Sequence, residues 1–345
     1  MREDPIADGW MLIAADRTRF EAALASALAP QSAYLTEIER SLYAGGKRLR
    51  PLLLLLATHA VRPHEASGEI PNKAIQAAVS LEMLHVATLI HDDIVDAAEH
   101  RRNGRAVHAA RGVQTAVLVG DLQFIQAIRI FAGNVDTAAD MGIVRLVLDV
   151  GFRICCGELD ELRGVDTHEP ETLRRHYRAT IERKTAILFG LACEIGATLG
   201  DAGPRETLRL SQYGRSLGRA FQIMDDLFDL VATPASSGKS AHTDLAQRCW
   251  TLPLINAVEE LGPDDALSRH MQGEDTGVEL ATLAAAAVRT RGFSRAYDEA
   301  RREALEARHG LADLPASPFA ALLDRLAMHI VDRGFHAPQP AYAPA

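Results

Sequence analysis

The feature that most constrains this chain is a doubled arrangement: an apolar stretch that ends in two adjacent aspartates and a third three positions later. The first copy, LEMLHVATLIHDDIVD, ends in Asp92, Asp93 and Asp96. The second, FQIMDDLFDL, carries Asp225, Asp226 and Asp229. On an α-helix, positions i and i+4 lie within about 40° of each other, so Asp92 and Asp96 share a face, as do Asp225 and Asp229. Carboxylates placed together at the end of an apolar helix repel unless a cation or protonation relieves them. No lysine or arginine stands at i±3 or i±4 in either cluster, and the six carboxylates are expected to lack protein counterions. One acidic helix end is ordinarily just solvated. Two copies, each on a hydrophobic helix, point instead to a hard cation held by oxygen donors, and Mg²⁺ binds this way together with substrate phosphates.

Basic residues fit a phosphate-bearing partner. GGKRLRP supplies Lys47, Arg48 and Arg50; Arg101 and Arg102 follow the first cluster; Lys184 and Thr185 follow Glu182 and Arg183; Lys239 follows the second cluster. Arginine forks and lysine point charges suit diphosphate oxygens, although any one of them alone would be an ordinary surface charge. The net charge of −9 argues against a nucleic-acid surface.

Hydrophobic residues make up 48% of the 345 and aromatic residues 5%, and the periodicity is helical throughout, with no sustained strand-like alternation. Expected helices run over 51–61, 74–96, 115–132, 140–162, 171–199, 206–230, 252–261, 278–290, 294–307 and 318–333. Residues 233–243 read as a loop and 336–345 as a disordered tail. No break is long enough for a domain linker, so residues 1–335 are expected to form one all-α domain. Cys155, Cys156, Cys193 and Cys249 lack metal-site spacing and read as reduced thiols. The acidic start has no signal-peptide order, and the longest apolar run, 51–61, is shorter than the roughly 20 residues that span a bilayer. A soluble, cytoplasmic protein is expected.

These pieces in this order resemble the trans-isoprenyl (polyprenyl) diphosphate synthase family. The matching segments are GGKRLRP, LHVATLIHDDIVD, Arg101-Arg102, Val119-Gly120-Asp121, ERKT, FQIMDDLFD and TLPLI at 251–255. The resemblance implies an all-α helical bundle around a central cavity, a homodimer, and roughly three Mg²⁺ ions on an allylic diphosphate. It implies that Asp92, Asp96 and Asp225 are metal ligands, with Asp229 a weaker one. Arg101, Lys184, Thr185, Gln222 and Lys239 would contact the allylic diphosphate. Lys47, Arg50, His85 and Arg102 would hold isopentenyl diphosphate. Catalysis would rest on Asp92, Asp96, Arg101, Lys184, Asp225 and Lys239. The product is expected to reach about twenty carbons or more, because Ala87 and Thr88, about one helical turn before Asp92, are small and leave a tunnel open.

Several positions depart from the family pattern. Glu161 replaces a glutamine, and Asn103-Gly104-Arg105-Ala106 replaces G-x-x-T. Asp244 to Thr251 reads DLAQRCWT in place of D-L-x-x-G-K-x-T, so Cys249 stands at a lysine position and Arg248 at a glycine; His242 also takes the place of a glycine. A terpene cyclase on the same fold would not need Lys47, Arg50, His85 and Arg102, and a non-catalytic subunit would not need all six aspartates. If the Cys249 position faces the pocket, Cys249→Lys will lower the Michaelis constant for the allylic substrate. Steady-state kinetics on both substrates checks this.

Overall fold

The computed structural model describes residues 4–44, 46–62, 69–101, 104–232 and 242–332. Arg102, Asn103, Lys239, most of the expected 233–243 loop and the expected tail lie outside the described residues. The chain is helical almost throughout. Among the described residues the helices are α1 (Pro5–Leu12), α2 (Ala14–Leu28), α3 (Glu37–Ala44), α4 (Leu49–Val61), α5 (Asn72–Val95), α6 (Val107–Arg111), α7 (Val113–Ala132), α8 (Ala138–Arg163) and α9 (Pro170–Ile181). After a π-helical turn at Glu182–Ala186 follow α10 (Ile187–Leu199), α11 (Pro204–Val231), α12 (Thr243–Ala246), α13 (Leu252–Leu261), α14 (Ala266–Met271), α15 (Leu280–Val288), α16 (Arg291–His309) and α17 (Pro318–Asp332).

The chain divides into two compact units. The first comprises 1–151, 188–214 and 310–326, the second 152–187, 215–309 and 327–345. In the first unit, α4 and α5 form the centre. Leu52 to Leu56 are all fully buried, and α5 is buried on every side, which is why its sequence shows no amphipathic stripe. Small residues permit close approach: a Cβ at Gly196 would lie 2.3 Å from the Leu54 carbonyl oxygen, so α10 passes α4 almost backbone to backbone. In the second unit, Glu169 caps α9 through the amides of Glu171 and Thr172, at 3.0 and 2.6 Å.

Three differences from the sequence reading have physical causes. Helices α1 to α3 were not anticipated, although α3 opens with a Thr-x-x-Glu capping box in which Glu39 accepts from the Thr36 amide at 2.7 Å. The single helix expected over 171–199 is broken by the π-helical turn, where Glu182 accepts hydrogen bonds from Arg215 and Arg219 at 2.6 and 2.8 Å. A two-residue antiparallel ladder pairs His100 with Arg105 and Arg101 with Gly104.

Helices α5 and α7 are both long and apolar enough to cross a membrane, so the apolar run at 51–61 was not the one to measure. The apolar stretch of α5 is 72% buried within the protein, as befits a core helix; that of α7 is 39% buried.

Asp140 shows how one buried carboxylate organises a helix start. Its Oδ2 accepts from Lys73 Nζ at 2.6 Å, from the amides of Asp136 and Thr137 at 3.0 and 2.8 Å, and from the Thr137 hydroxyl at 2.8 Å. Burial alone would raise its pKa, but these donors outweigh burial and hold it well below the usual carboxylate range. A depressed folded-state pKa stabilises above the unfolded value and loses that contribution as pH falls through it. Asp140→Ala is therefore expected to lower unfolding free energy by about 1–3 kcal/mol at neutral pH. The gap from wild type should narrow below about pH 4, as chemical denaturation across a pH series will read.

Candidate active site

Both aspartate clusters sit at helix C-terminal ends, the wrong end for negative charge, because the unsatisfied carbonyls there carry the negative pole of the helix. At the end of α5 the chain closes in a Schellman motif. Ala98 N–H donates to the Asp93 carbonyl at 3.0 Å and Ala97 N–H to the Ile94 carbonyl at 3.3 Å, with Ala97 left-handed at φ 50°. Asp225, Asp226 and Asp229 occupy the last two turns of α11.

Within each cluster the middle carboxylate differs from the outer two. Asp93 is buried, and Arg101, on the first strand of the short ladder, donates to it from Nε at 2.7 Å and also from Nη2. The expectation that none of the six carboxylates has a protein counterion thus fails at Asp93. The pairing depends on the chain turning back after Ala97, which i±4 spacing cannot reveal. Asp226 is likewise buried. Tyr177 Oη donates to its Oδ2 at 2.6 Å, and Gln222 Nε2 to its Oδ1 at 2.9 Å. Burial first, then the neighbouring charges of Asp225 and Asp229, push Asp226 up to about 7 against the opposing hydrogen bonds. Burial and the same carboxylate push the Tyr177 phenol well above its ordinary value.

The outer positions face outward: Asp96 and Asp225 are exposed, Asp92 and Asp229 half-buried. Asp229 also accepts from the Thr243 and Asp244 amides, at 3.1 and 3.0 Å, and so caps α12. Among the described residues, no three carboxylate, imidazole or thiol groups converge into a preformed metal cage. Exposed all-oxygen donors at negatively poled helix ends, short of a full coordination shell, fit a hard cation whose remaining ligands come from a substrate.

The other described residues of the expected site belong to one unit or the other. In the second unit, Thr185 Oγ1 donates to Gln222 Oε1 at 2.8 Å, which extends the Asp226–Gln222 network onto the π-helical turn. Lys184 Nζ lies 3.0 Å from Glu158 and pairs with Glu161 as well. Burial would lower the Lys184 pKa, but the two carboxylates outweigh it and raise the pKa above its ordinary value. Arg248 lies outside any helix. It follows the C-cap of α12 in left-handed conformation, φ 56°, and the Cys249 amide donates back to the Asp244 carbonyl at 2.8 Å. In the first unit, Lys47 and Arg50 flank the start of α4, with the Arg50 guanidinium 4.8 Å from the Phe189 ring centre. His85 lies on α5, two turns before Asp92, and Thr88 Oγ1 donates to its carbonyl at 2.9 Å. Sequence reasoning missed Tyr177, Glu158 and the inward roles of Asp93 and Asp226; their partners are distant in sequence or in other secondary structure, so no local spacing marks them.

Residues 32–287 match the polyprenyl synthetase family profile. The chain belongs to that family. It is 34% identical over 296 residues to a nonaprenyl diphosphate synthase of Mycobacterium tuberculosis, covering 84% of both chains. It is 32% identical over 291 residues to an octaprenyl diphosphate synthase of Escherichia coli, covering 84% of this chain and 86% of the other. A solved polyprenyl synthase from Caulobacter crescentus, in complex with calcium and isoprenyl diphosphate, superposes with a TM-score of 0.83 at 28% identity, over 94% of this chain and 97% of the other. The all-α isoprenoid synthase fold expected from the sequence is the fold observed.

Removing the Tyr177 hydroxyl leaves the buried Asp226 short of one donor. Tyr177→Phe is expected to lower unfolding free energy by about 1–3 kcal/mol, and thermal denaturation at neutral pH reads it.

Proposed function

We propose that the protein condenses isopentenyl diphosphate with an allylic diphosphate, giving a linear trans-polyprenyl diphosphate of about twenty carbons or longer, one helical turn of tunnel accommodating about one isoprene unit. The observation that carries this is the pair of outward-facing carboxylate sets at the ends of α5 and α11, on a chain of the polyprenyl synthetase family. The allylic C–O bond breaks and its electrons leave with diphosphate. The double bond of isopentenyl diphosphate forms the new C–C bond, and a proton departs, taken by the released diphosphate.

Mg²⁺, when bound, would neutralise charge developing on the departing diphosphate. Asp92, Asp96 and Asp225 would hold it, with Asp229 contributing less because two backbone amides already engage it. Asp93 and Asp226, each held by partners in its own unit, keep the outer carboxylates in place. Arg101, Lys184, Thr185, Gln222 and Lys239 would bind the allylic diphosphate, Lys184 moving from Glu158 and Glu161 onto the substrate. Lys47, Arg50, His85 and Arg102 would bind isopentenyl diphosphate. Residues 1–335 would work as one catalytic domain in a soluble, cytoplasmic homodimer. Helix α7 supports the dimer, since Leu118 and Ile125, seven residues apart and so on one face, are 68% and 55% exposed on it.

Of the two small residues before Asp92, Ala87 is 1% exposed and belongs to the packed core, whereas Thr88 is half-buried. Thr88→Phe is therefore the cleaner probe of tunnel depth. The test supplies farnesyl diphosphate, labelled isopentenyl diphosphate and Mg²⁺, then separates dephosphorylated products by length. Wild type should give labelled linear products of about twenty carbons or more, and Thr88→Phe shorter ones. Asp92→Asn and Asp225→Asn should each lower turnover by about 10²-fold or more while melting near wild type. An unlabelled cyclic hydrocarbon would point to a cyclase instead. Normal turnover in both aspartate variants would remove the metal role.

A further inference from the structure

GGKRLRP contains three basic residues, and the proposed substrate role takes only Lys47 and Arg50. The residue between them points its charge inward. The Arg48 side chain is 16% exposed, pairs through Nη1 with Glu21 on α2, and donates from Nη2 to the Tyr43 carbonyl at 2.6 Å. Its guanidinium carbon lies 5.4 Å from the centre of the Phe20 ring. These anchor points are themselves fixed. Phe20 is fully buried, and Tyr43 Oη donates to Gln123 at 2.7 Å, where Gln123 also donates to Gln31 at 2.9 Å.

The backbone explains why such anchoring is needed. Arg48 is the N-cap of α4, yet it adopts φ 47°, ψ 45° and makes no side-chain cap bond. N-caps ordinarily adopt extended backbone, and left-handed conformation is disfavoured for any residue with a Cβ. Arg48 is also where the chain changes direction: Lys47 precedes it in the loop, its carbonyl accepting from the Trp10 indole at 3.3 Å, and Arg50 follows in the first turn of the helix. The φ and ψ of Arg48 therefore fix the direction of Lys47 relative to Arg50.

We propose that Arg48 is a positioning residue for isopentenyl diphosphate. Clamped by Glu21, the Tyr43 carbonyl and the Phe20 ring, it holds the left-handed junction that aims Lys47 and Arg50 at one diphosphate. The inference rests on the substrate reading given above and adds a residue that does not touch substrate.

The test measures Michaelis constants for both substrates in wild type, Arg48→Ala, Arg48→Lys and Glu21→Gln. Arg48→Ala should raise the constant for isopentenyl diphosphate about tenfold, the scale of one weakened charge-assisted contact. The allylic constant and turnover at saturation should stay within about twofold of wild type. Arg48→Lys should recover part of the loss. Glu21→Gln, a change at a side chain 43% exposed, should move the same constant upward by a smaller factor even if Arg48→Ala fails to fold. That variant also separates the two roles for Arg48. A direct ligand released from Glu21 would bind diphosphate more tightly, so a lowered constant overturns the proposal, as does an unchanged one. Equal increases for both substrates, with a fall in melting temperature, would mark a purely structural role and overturn it too. Wild type that does not consume isopentenyl diphosphate would overturn the substrate reading and this inference together, whereas normal wild-type kinetics with unaffected variants would sink the inference alone.

Discussion

The electrostatic misfit of carboxylates at helix C-terminal ends is the constraint on which the rest of this molecule turns. Negative side chains lower the energy of a helix at its N-terminus and raise it at its C-terminus, by about 0.3–1 kcal/mol each when exposed. Here α5 and α11 both end in three aspartates, after apolar stretches buried in their own units. A sequence selected for stability alone would place lysine or arginine there. The two middle aspartates meet this misfit differently.

The middle aspartates are relieved by the protein. Asp93 takes the guanidinium of Arg101, which requires the chain to turn through a Schellman closure and a short ladder before it can return. Asp226 takes a phenol and an amide, both neutral, which oppose the effect of burial without outweighing it, so it retains a proton more readily. A buried charge with a full cationic partner and a buried acid with neutral donors are two solutions to one desolvation problem. In each case the inner carboxylate ties down the last turns of its helix. The outer pair is thereby presented on a rigid element rather than a fraying end, the precision that the proposed metal–phosphate site would require.

Much of this was legible in the sequence, and what was not has identifiable causes. The long helices could be read because apolar periodicity sustained over several turns is a strong signal, and the aspartate doublets because i, i+4 spacing places two carboxylates on one face. Helices α1 and α3 escaped notice because they have only 8 residues each, although the Thr36–Glu39 capping box announced the second of them. The π-helical turn shifts the helical phase by one residue, but α10 beyond it is buried on most sides and offers no polar stripe against which the shift could be read. The buried partners Arg101–Asp93 and Tyr177–Asp226 lie 8 and 49 residues apart, and only the tertiary fold joins them. Reading all six aspartates as equivalent was the consequence.

The departures from the family pattern sort by whether they act on backbone or on charge. His242 and Arg248 stand where glycine is usual, and both adopt left-handed backbone, φ 60° and 56°, a conformation glycine enters without strain and other residues reach at a cost of about 1–2 kcal/mol. The short helix between them nonetheless forms, because Asp229 engages its first two amides and the Cys249 amide closes its far end. The backbone of the pattern thus survives the loss of its glycines. The charge does not. A lysine is missing at Cys249, and a carboxylate is added at Glu161, where it pairs with Lys184. Both changes make the second unit less positive toward a diphosphate. On the proposed reading, neutralisation of the leaving group shifts further from side chains to bound metal than the family pattern alone would suggest, and more then depends on the outer aspartates that would hold that metal.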